Sequence, residues 1–367
     1  MGVADLAEYP WDAVAPYAAR ARSHPDGIVD LSIGSPVDAT PAVVREALTA
    51  ATDAHAYPQT VGTPALREAI AEWFARRRGV AGLTPSQVLP TVGSKELVAL
   101  LPLLLGLGPG DIVVHPRAAY PTYEVGARLV GATPLAADEP EEWPVGTRLV
   151  WLNSPGNPDG RVRGIPSLTT AVRRARELGA VIAGDECYAE LGWDAPWDDE
   201  PIPSILDARV TGGDAAGVLA VYSLSKQSNL AGDRAAFLAG DERLVAGLLT
   251  ARKHLGLMLP GPVQHAMVAA LGDDAHVATQ KERYRRRREL LRPAVEAAGF
   301  RIDGSEAGLY LWATEGRDAW ESLDRLADLG ILAGPGHFYG PHFPQHIRFS
   351  LTAPDERIAS AAQRLRS

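Results

Sequence analysis

Lys226 sits behind an apolar run, Val218 to Tyr222, flanked by the hydroxyls of Ser223 and Ser225, with Gly232, Asp233 and Arg234 close behind. A lysine so placed can form a Schiff base with an aldehyde, while the hydroxyls and the guanidinium can hold a phosphate. A free lysine has a pKa of about 10.4 and is nearly all ammonium at neutral pH. Imine formation removes that obstacle, and the amine released on exchange can move a proton at carbon. Alone, Lys226 reads as an exposed lysine at a strand end. With Ser223, Ser225 and Arg234 it reads as chemistry.

Three further stretches fit the same chemistry. Asp185, after the apolar Val181 to Gly184, can sit against a pyridine nitrogen and keep it protonated, and Tyr188 can donate to a phenolic ring oxygen. Alone, Asp185 reads equally as a helix cap or loop acid, and Glu186 and Cys187 read as structural. Asn157 lies in the stiff loop Asn153 to Gly160, whose two prolines and two glycines also describe a plain turn. Gly93, Ser94 and Lys95 open a helix, where free backbone N–H groups bind a phosphate dianion. The four stretches together suit pyridoxal 5′-phosphate.

Elements must hold these residues in place. Thr40-Pro41 and Thr63-Pro64 each pair a capping hydroxyl with a proline at the first helical position. Thr84 and Gln87 form a capping box ahead of a very short helix, cut off by Pro90. Helices are expected over 95–105, 125–130 and 167–178, and strands over 112–115, 149–152, 181–183, 218–222 and 236–239. Short apolar strands between helices argue an α/β fold with a mostly parallel sheet covered on both faces. Gly106, Gly108 and Gly110 follow a helix and precede a strand, the wrong order for a dinucleotide fingerprint. From about Asp273 a long charged helix, short strands (310–312, 347–350) and two more helices suggest a smaller α+β domain. The expected division is a large domain over 36–272, with 1–35 and 273–367 as arm and small domain.

The chain has 367 residues, a net charge of −9 and 46% hydrophobic residues, an ordinary globular composition. The acidic balance argues against a nucleic-acid partner. The basic run Arg285 to Arg288 reads as a solvated helix face beside Glu282 and Glu289. One cysteine, Cys187, excludes an internal disulfide framework and a thiolate metal cluster, so no metal is expected. Residues 1–10 show no signal peptide, and no run of about 18 apolar residues suggests a membrane span, so a cytoplasmic protein is expected.

Together these residues resemble the fold-type I pyridoxal phosphate enzymes, specifically the class I/II aminotransferases, over nearly the whole chain. The resemblance implies a large domain with a seven-stranded-type sheet between helices. It implies that Lys226 carries the cofactor, Asp185 pairs with its ring nitrogen, and Tyr188 and Asn157 bind its ring oxygen. Gly93, Ser94, Lys95, Ser223 and Arg234 would hold the phosphate. Tyr120 is placed like the family's ring-stacking aromatic, and Tyr57 like the tyrosine reaching a neighbouring subunit's phosphate, which implies a homodimer with shared sites. Arg348 matches the arginine that grips a substrate α-carboxylate, and Gly34 a loop glycine that closes over the substrate.

Within the family the chain is most similar to actinobacterial N-succinyldiaminopimelate aminotransferases, through Tyr9 to Asp12, Ser23 to Val29, Tyr57 to Thr60, Ser225 to Ala231, Ala307 to Trp312 and Phe338 to Gly340. That implies an amino acid and a 2-oxo acid as substrates, in lysine and diaminopimelate synthesis, with ping-pong kinetics. Gln227, Asp233, Asp159 and His337 depart from the pattern, and Gln227 and His337 are expected to bear on the distal end of the substrate. Other readings are an aminotransferase of different specificity and a C–S lyase or synthase on the same fold. A non-catalytic ligand sensor is disfavoured by the acidic charge and by the start of the chain so near the enzyme region.

Overall fold

The structure is a computed structural model that describes residues 10–367, so Tyr9 of the opening stretch lies outside the described residues. A short strand β1 (Val29–Asp30) precedes the central sheet. Seven strands form that sheet: β2 (Val88–Val92), β3 (Ile112–His115), β4 (Thr133–Ala136), β5 (Thr147–Asn153), β6 (Val181–Asp185), β7 (Val218–Ser223) and β8 (Ala235–Gly240). Their order is β2-β8-β7-β6-β5-β3-β4; β8 is antiparallel to both neighbours and every other pairing is parallel.

Successive strand residues feed opposite faces. Val150, Leu152, Ile182, Ala220 and Tyr222 join one buried cluster, and Leu149, Trp151, Ala183, Leu219 and Val221 another. Burial on both faces explains why these strands read as unbroken apolar runs. The sequence reading found no strand at β2 or β4, the two edges of the sheet. Each contains a proline, Pro90 or Pro134, which removes a ladder donor and is tolerated at an edge.

Thr63 caps the helix Pro64–Arg78, accepting from the Leu66 N–H at 3.2 Å. Thr40 does not repeat the device. The helix Ala42–Ala50 starts after Pro41, and the Thr40 hydroxyl donates instead to the Asn229 carbonyl at 3.3 Å. The capping box at Thr84 serves a short 3-10 helix, Pro85–Gln87.

The later part of the chain builds a second sheet from β9 (Arg301–Ile302), β10 (Tyr310–Thr314), β12 (Gly334–Pro335) and β13 (His346–Ser350), while β11 (Ile331–Leu332) pairs in parallel with β1 as a separate two-stranded sheet. Four of these strands pair antiparallel in the order β12-β13-β10-β9. The helices Asp274–Ala297 and Asp355–Leu365 pack with it around Tyr284, Leu291, Phe300, Phe349 and Ile358.

The basic run on the first of those helices is not a solvated face. The Arg287 and Arg288 side chains are 3% and 11% exposed and pair with Asp38 and Asp194. Helical spacing sets Tyr284, Arg287, Arg288 and Leu291 on one inward stripe, leaving Arg286 outside. A run of like charge in sequence is thereby split between interior and solvent.

Candidate active site

β5, β6 and β7 end side by side, with Asn153 in register with Asp185 and Asp185 with Val221. Open α/β sheets bind ligands beyond such carboxyl ends. A cavity of about 350 Å³ lies there, and every expected site residue lines it except Gly93 and Tyr57.

Asp185 forms its floor. Tyr123 Oη donates to Asp185 Oδ2 at 2.8 Å, and the Cys187 N–H donates to Oδ1 at 3.2 Å. Burial raises the Asp185 pKa above the ordinary carboxylate range. Behind it Glu186 pairs with Arg78 at 3.0 Å and accepts from Ser204 and the Ile205 N–H, which pins the turn. Cys187, read from sequence as structural, also lines the cavity.

Lys226 lies on a single helical turn, Leu224–Gln227, directly after β7, and its amine donates to the Gly34 carbonyl. Burial, with Arg348 and Arg234 nearby, lowers its pKa, so less work is needed to present a neutral amine.

At one end of the cavity Ser94, Ser223, Ser225 and Arg234 converge. Ser223 Oγ bonds Ser225 Oγ at 2.8 Å and also accepts from the Ser225 N–H. Arg234 holds a left-handed φ of 56°, and its Nη1 donates to Ala231 O at 2.7 Å. Such a conformation in a non-glycine residue costs on the order of 1 kcal/mol and marks a site that needs it. Gly93 has a φ of 79°, and a Cβ there would lie 2.1 Å from Arg234 Nη2. Only glycine lets that guanidinium close over the N-terminus of the helix Ser94–Leu104.

At the other end stands Arg348, 3% exposed. Its Nη1 donates to Asn157 Oδ1 at 2.9 Å and its Nη2 to Ser32 O at 2.5 Å. The guanidinium lies 4.0 Å from the Tyr310 ring centroid and 4.9 Å from that of Tyr339. Tyr310 Oη meets Tyr188 Oη at 3.1 Å. Burial, then Tyr310 beside it, pushes the Tyr188 phenol well up, while Arg348 and Lys226 outweigh burial and bring Tyr310 down. A Cβ on Gly34 would fall 2.0 Å from Tyr310 Oη, so the loop can lie this close only with glycine.

A family profile for aminotransferase class I and II matches residues 26–365. The chain belongs to the class I and II aminotransferases. These enzymes depend on pyridoxal phosphate, and so does this aminotransferase. It is 56% identical to 4-dedimethylamino-4-oxo-anhydrotetracycline transaminase of Streptomyces rimosus over 98% of this chain and 99% of that one. A probable aminotransferase of Mycobacterium tuberculosis is 54% identical, over 99% of this chain and 86% of the other. Among solved structures, a probable N-succinyldiaminopimelate aminotransferase of Thermus thermophilus superposes with a TM-score of 0.87 at 28% identity, covering 98% and 99% of the two chains.

The cavity suits the family's cofactor. The hydroxyl and guanidinium end has the donors a phosphate needs, the buried Asp185 lies at the floor, and an amine stands between them. Among the described residues no group of three or more His, Cys, Asp or Glu is placed to hold a metal ion.

Sequence reasoning missed Tyr123 and Tyr310, and with them Trp11, Ile33 and Ser35 at the cavity wall. Tyr123 carried a signal in its spacing, three residues after Tyr120, whose ring meets it edge-on at 6.0 Å. Two departures do not line the cavity. Gln227 is buried and accepts from Tyr222 Oη at 2.6 Å, because its side chain turns away from its neighbour Lys226. His337 stacks on Trp320 at 5.5 Å and faces Asp318. Neither supports the expected influence on the distal end of the substrate. Asp159 lines a separate cavity of about 430 Å³. Tyr57 is 95% exposed and outside its own chain's cavity.

Proposed function

We propose that this aminotransferase acts on an α-amino acid and a 2-oxo acid, with N-succinyl-LL-2,6-diaminopimelate and 2-oxoglutarate as the pair, in the cytoplasm and as a homodimer. The observation that carries the reading is the buried Arg348 guanidinium, held facing the Lys226 side of the cavity by Asn157, Ser32 and Tyr310. A planar fork in that position suits a carboxylate beside the reacting carbon. Trp11 and Ile33 add apolar wall to the cavity, which suits a chain of methylenes. The resemblance to a Thermus enzyme titled a probable N-succinyldiaminopimelate aminotransferase points the same way.

Ser94, Ser223, Ser225 and Arg234, with Gly93 and Lys95 at the helix start, hold the phosphate in this reading, and Tyr120 lies against the ring. Asp185 faces the ring nitrogen, kept in place by Tyr123; Asn157 and Tyr188 face the ring oxygen. The bound cofactor supplies an electron sink next to the substrate's α-carbon. Lys226 Nζ, its proton affinity lowered by burial, would take the α-proton and hold it for return. Arg348 fixes the carboxylate, and Gly34 and Ile33 cover the face above the amine, excluding water. Tyr57 serves the partner's cavity. Residues 36–272 form the large domain, and 1–35 with 273–367 the arm and small domain.

A second reading has one specific support, the 56% identity to an enzyme named for an oxo-anhydrotetracycline. A ring ketone has no need of the Arg348 grip. A panel of amino donors and oxo acceptors decides between them. Fastest turnover with N-succinyl-diaminopimelate and 2-oxoglutarate supports the first reading; a preference for bulky ring ketones overturns it. Release of pyruvate from cystathionine without an acceptor would mark a lyase.

A further inference from the structure

The loop over Lys226 has no regular structure of its own between β1 and the helix Ala42–Ala50, and it is held by side-chain hydrogen bonds. Its front is fixed at the substrate end: Ser32 O accepts from Arg348, and Ile33 O accepts from the Thr352 hydroxyl at 2.9 Å. Further back a carboxylate anchors it. Asp38 Oδ1 accepts from Arg287 Nη2 at 2.6 Å, and Oδ2 accepts from Arg287 Nη1 at 2.9 Å and from Gln280 Nε2 at 2.7 Å. That is a bidentate pair plus a third donor, with the Arg287 side chain 3% exposed.

Gln280 also reaches the segment that carries the lysine. Gln280 Oε1 accepts from Asn229 Nδ2 at 2.9 Å, and Asn229 stands just beyond Lys226 in a left-handed conformation with φ 54°. Asn229 also donates to Ala39 O, and its own carbonyl accepts from Thr40. One side of the gap is Gly34, the other is the Lys226 segment. The loop that carries Gly34 is tied through Asp38 to Gln280 and Arg287, and the Lys226 segment through Asn229 to Gln280 on the same helix.

We propose that Asp38 is a positioning residue: through Arg287 and Gln280 it sets the place of Gly34 over the Lys226 amine, and with it the hold of Ser32 on Arg348. This rests on the reading that the substrate lies between that loop and Arg348. The molecule supplies its own control. Arg287 Nε donates to a second carboxylate, Asp355 Oδ1, at 2.6 Å, but Asp355 is on the C-terminal helix and 63% exposed. A purely structural role for Arg287 makes the two carboxylates alike; positioning makes them different.

The test compares Asp38→Asn with Asp355→Asn in the full-length holoenzyme, using L-glutamate and the amino donor found fastest. Asp38→Asn is expected to raise KM about ten-fold with kcat within about three-fold, since small displacements at a substrate seat are costly. Asp355→Asn is expected to leave KM within about two-fold of the parent, and Asp38→Glu to recover most of the loss. Hydrogen exchange on the apoenzyme provides a readout without turnover: the amides of Leu31 and Ser32, which donate to Leu332 O and Asp30 Oδ1, lose protection in Asp38→Asn and keep it in Asp355→Asn. If Asp38→Asn does not fold, Gln280→Ala removes one of the three donors and is expected to raise KM about three-fold by the same route. Equal behaviour of the two asparagine variants, in KM and in exchange, overturns the proposal. If Arg348→Lys leaves KM unchanged, the substrate seat is misplaced, and the exchange comparison alone then decides whether Asp38 holds the loop.

Discussion

The floor and the roof of the cavity are built by different physics. The floor residues Asn153, Asp185 and Ser223 end adjacent strands of a sheet buried on both faces, and Lys226 follows within one helical turn. Backbone ladders fix their positions before any side chain acts. The roof residues Ser32, Ile33 and Gly34 belong to an irregular segment whose position depends on Arg348, Thr352 and Asp38. Chemistry sits on the rigid part, and access sits on an irregular part that side chains help to restrain.

The sharpest way to break the comparison is to remove the floor's amine. Lys226→Ala is expected to cost at least about 10⁴-fold in turnover, with loss of the yellow colour of the bound cofactor, because the amine proposed to move the α-proton is gone. Borohydride reduction followed by mass mapping is expected to place the cofactor on Lys226 in the parent chain. Normal turnover in the alanine variant, or an adduct on another residue, would sink the assignment.

The roof is expected to fail by degrees. Arg348→Lys keeps the charge and loses the fork that serves Asn157 and Ser32 at once. A fall in kcat/KM of about 10²-fold is expected for amino acids, much of it in KM. A fall equally large for an amine lacking the carboxylate would show that Arg348 supports the fold rather than grips the substrate.

The same division decides what was legible in the sequence. Floor residues announce themselves locally: Lys226 and Arg234 follow β7 within one short stretch, and Asp185 and Tyr188 share one turn after β6. Spacing along a strand end is spacing in space, so motif reading finds them. Roof contacts join residues separated by hundreds of positions, Arg348 to Ser32 and Arg287 to Asp38, and no periodicity records such pairs. Arg287 reads as solvated for this reason, since its partners Asp38 and Asp355 lie near opposite ends of the chain. The edge strands were missed for a different cause. Pro90 and Pro134 are strand breakers by composition, and only topology shows that they sit where a missing donor is harmless.

A smaller test concerns how the floor is tuned. Tyr123 stacks on Trp151 at 5.1 Å and gives Asp185 one of its hydrogen bonds. Tyr123→Phe leaves a buried carboxylate short of a donor, a loss of about 1–2 kcal/mol. The expected result is cofactor binding weakened by about ten-fold in apoenzyme titrations, with little change in KM for the amino acid. An unchanged cofactor affinity together with a raised KM would move Tyr123 from the floor to the roof.

The smallest effect has opposite signs in the two regions. Asp38, bonded to Arg287 and Gln280, has its pKa below the ordinary value even though burial alone would raise it, while burial drives that of Asp185 above it. A carboxyl depressed by folding contributes stability above its unfolded pKa of about 3.9 and loses that contribution as pH falls through its folded value. A carboxyl raised by folding does the reverse: its charge costs stability above the folded value, and the cost disappears in acid. At pH 7 and without cofactor, Asp38→Asn is therefore expected to lower the unfolding free energy by about 1 kcal/mol, a figure reduced for solvent screening because Asp38 is only partly enclosed. Asp185→Asn is expected to raise it by a similar amount, on the order of 1 kcal/mol. Both differences are expected to shrink as the pH of the melt is taken below about 4. Thermal melts of the two apo variants across that range check the signs. A destabilised Asp185→Asn at neutral pH would mean that the hydrogen bonds from Tyr123 and Cys187 outweigh desolvation, so that the floor carboxylate is held as firmly as the one beneath the roof.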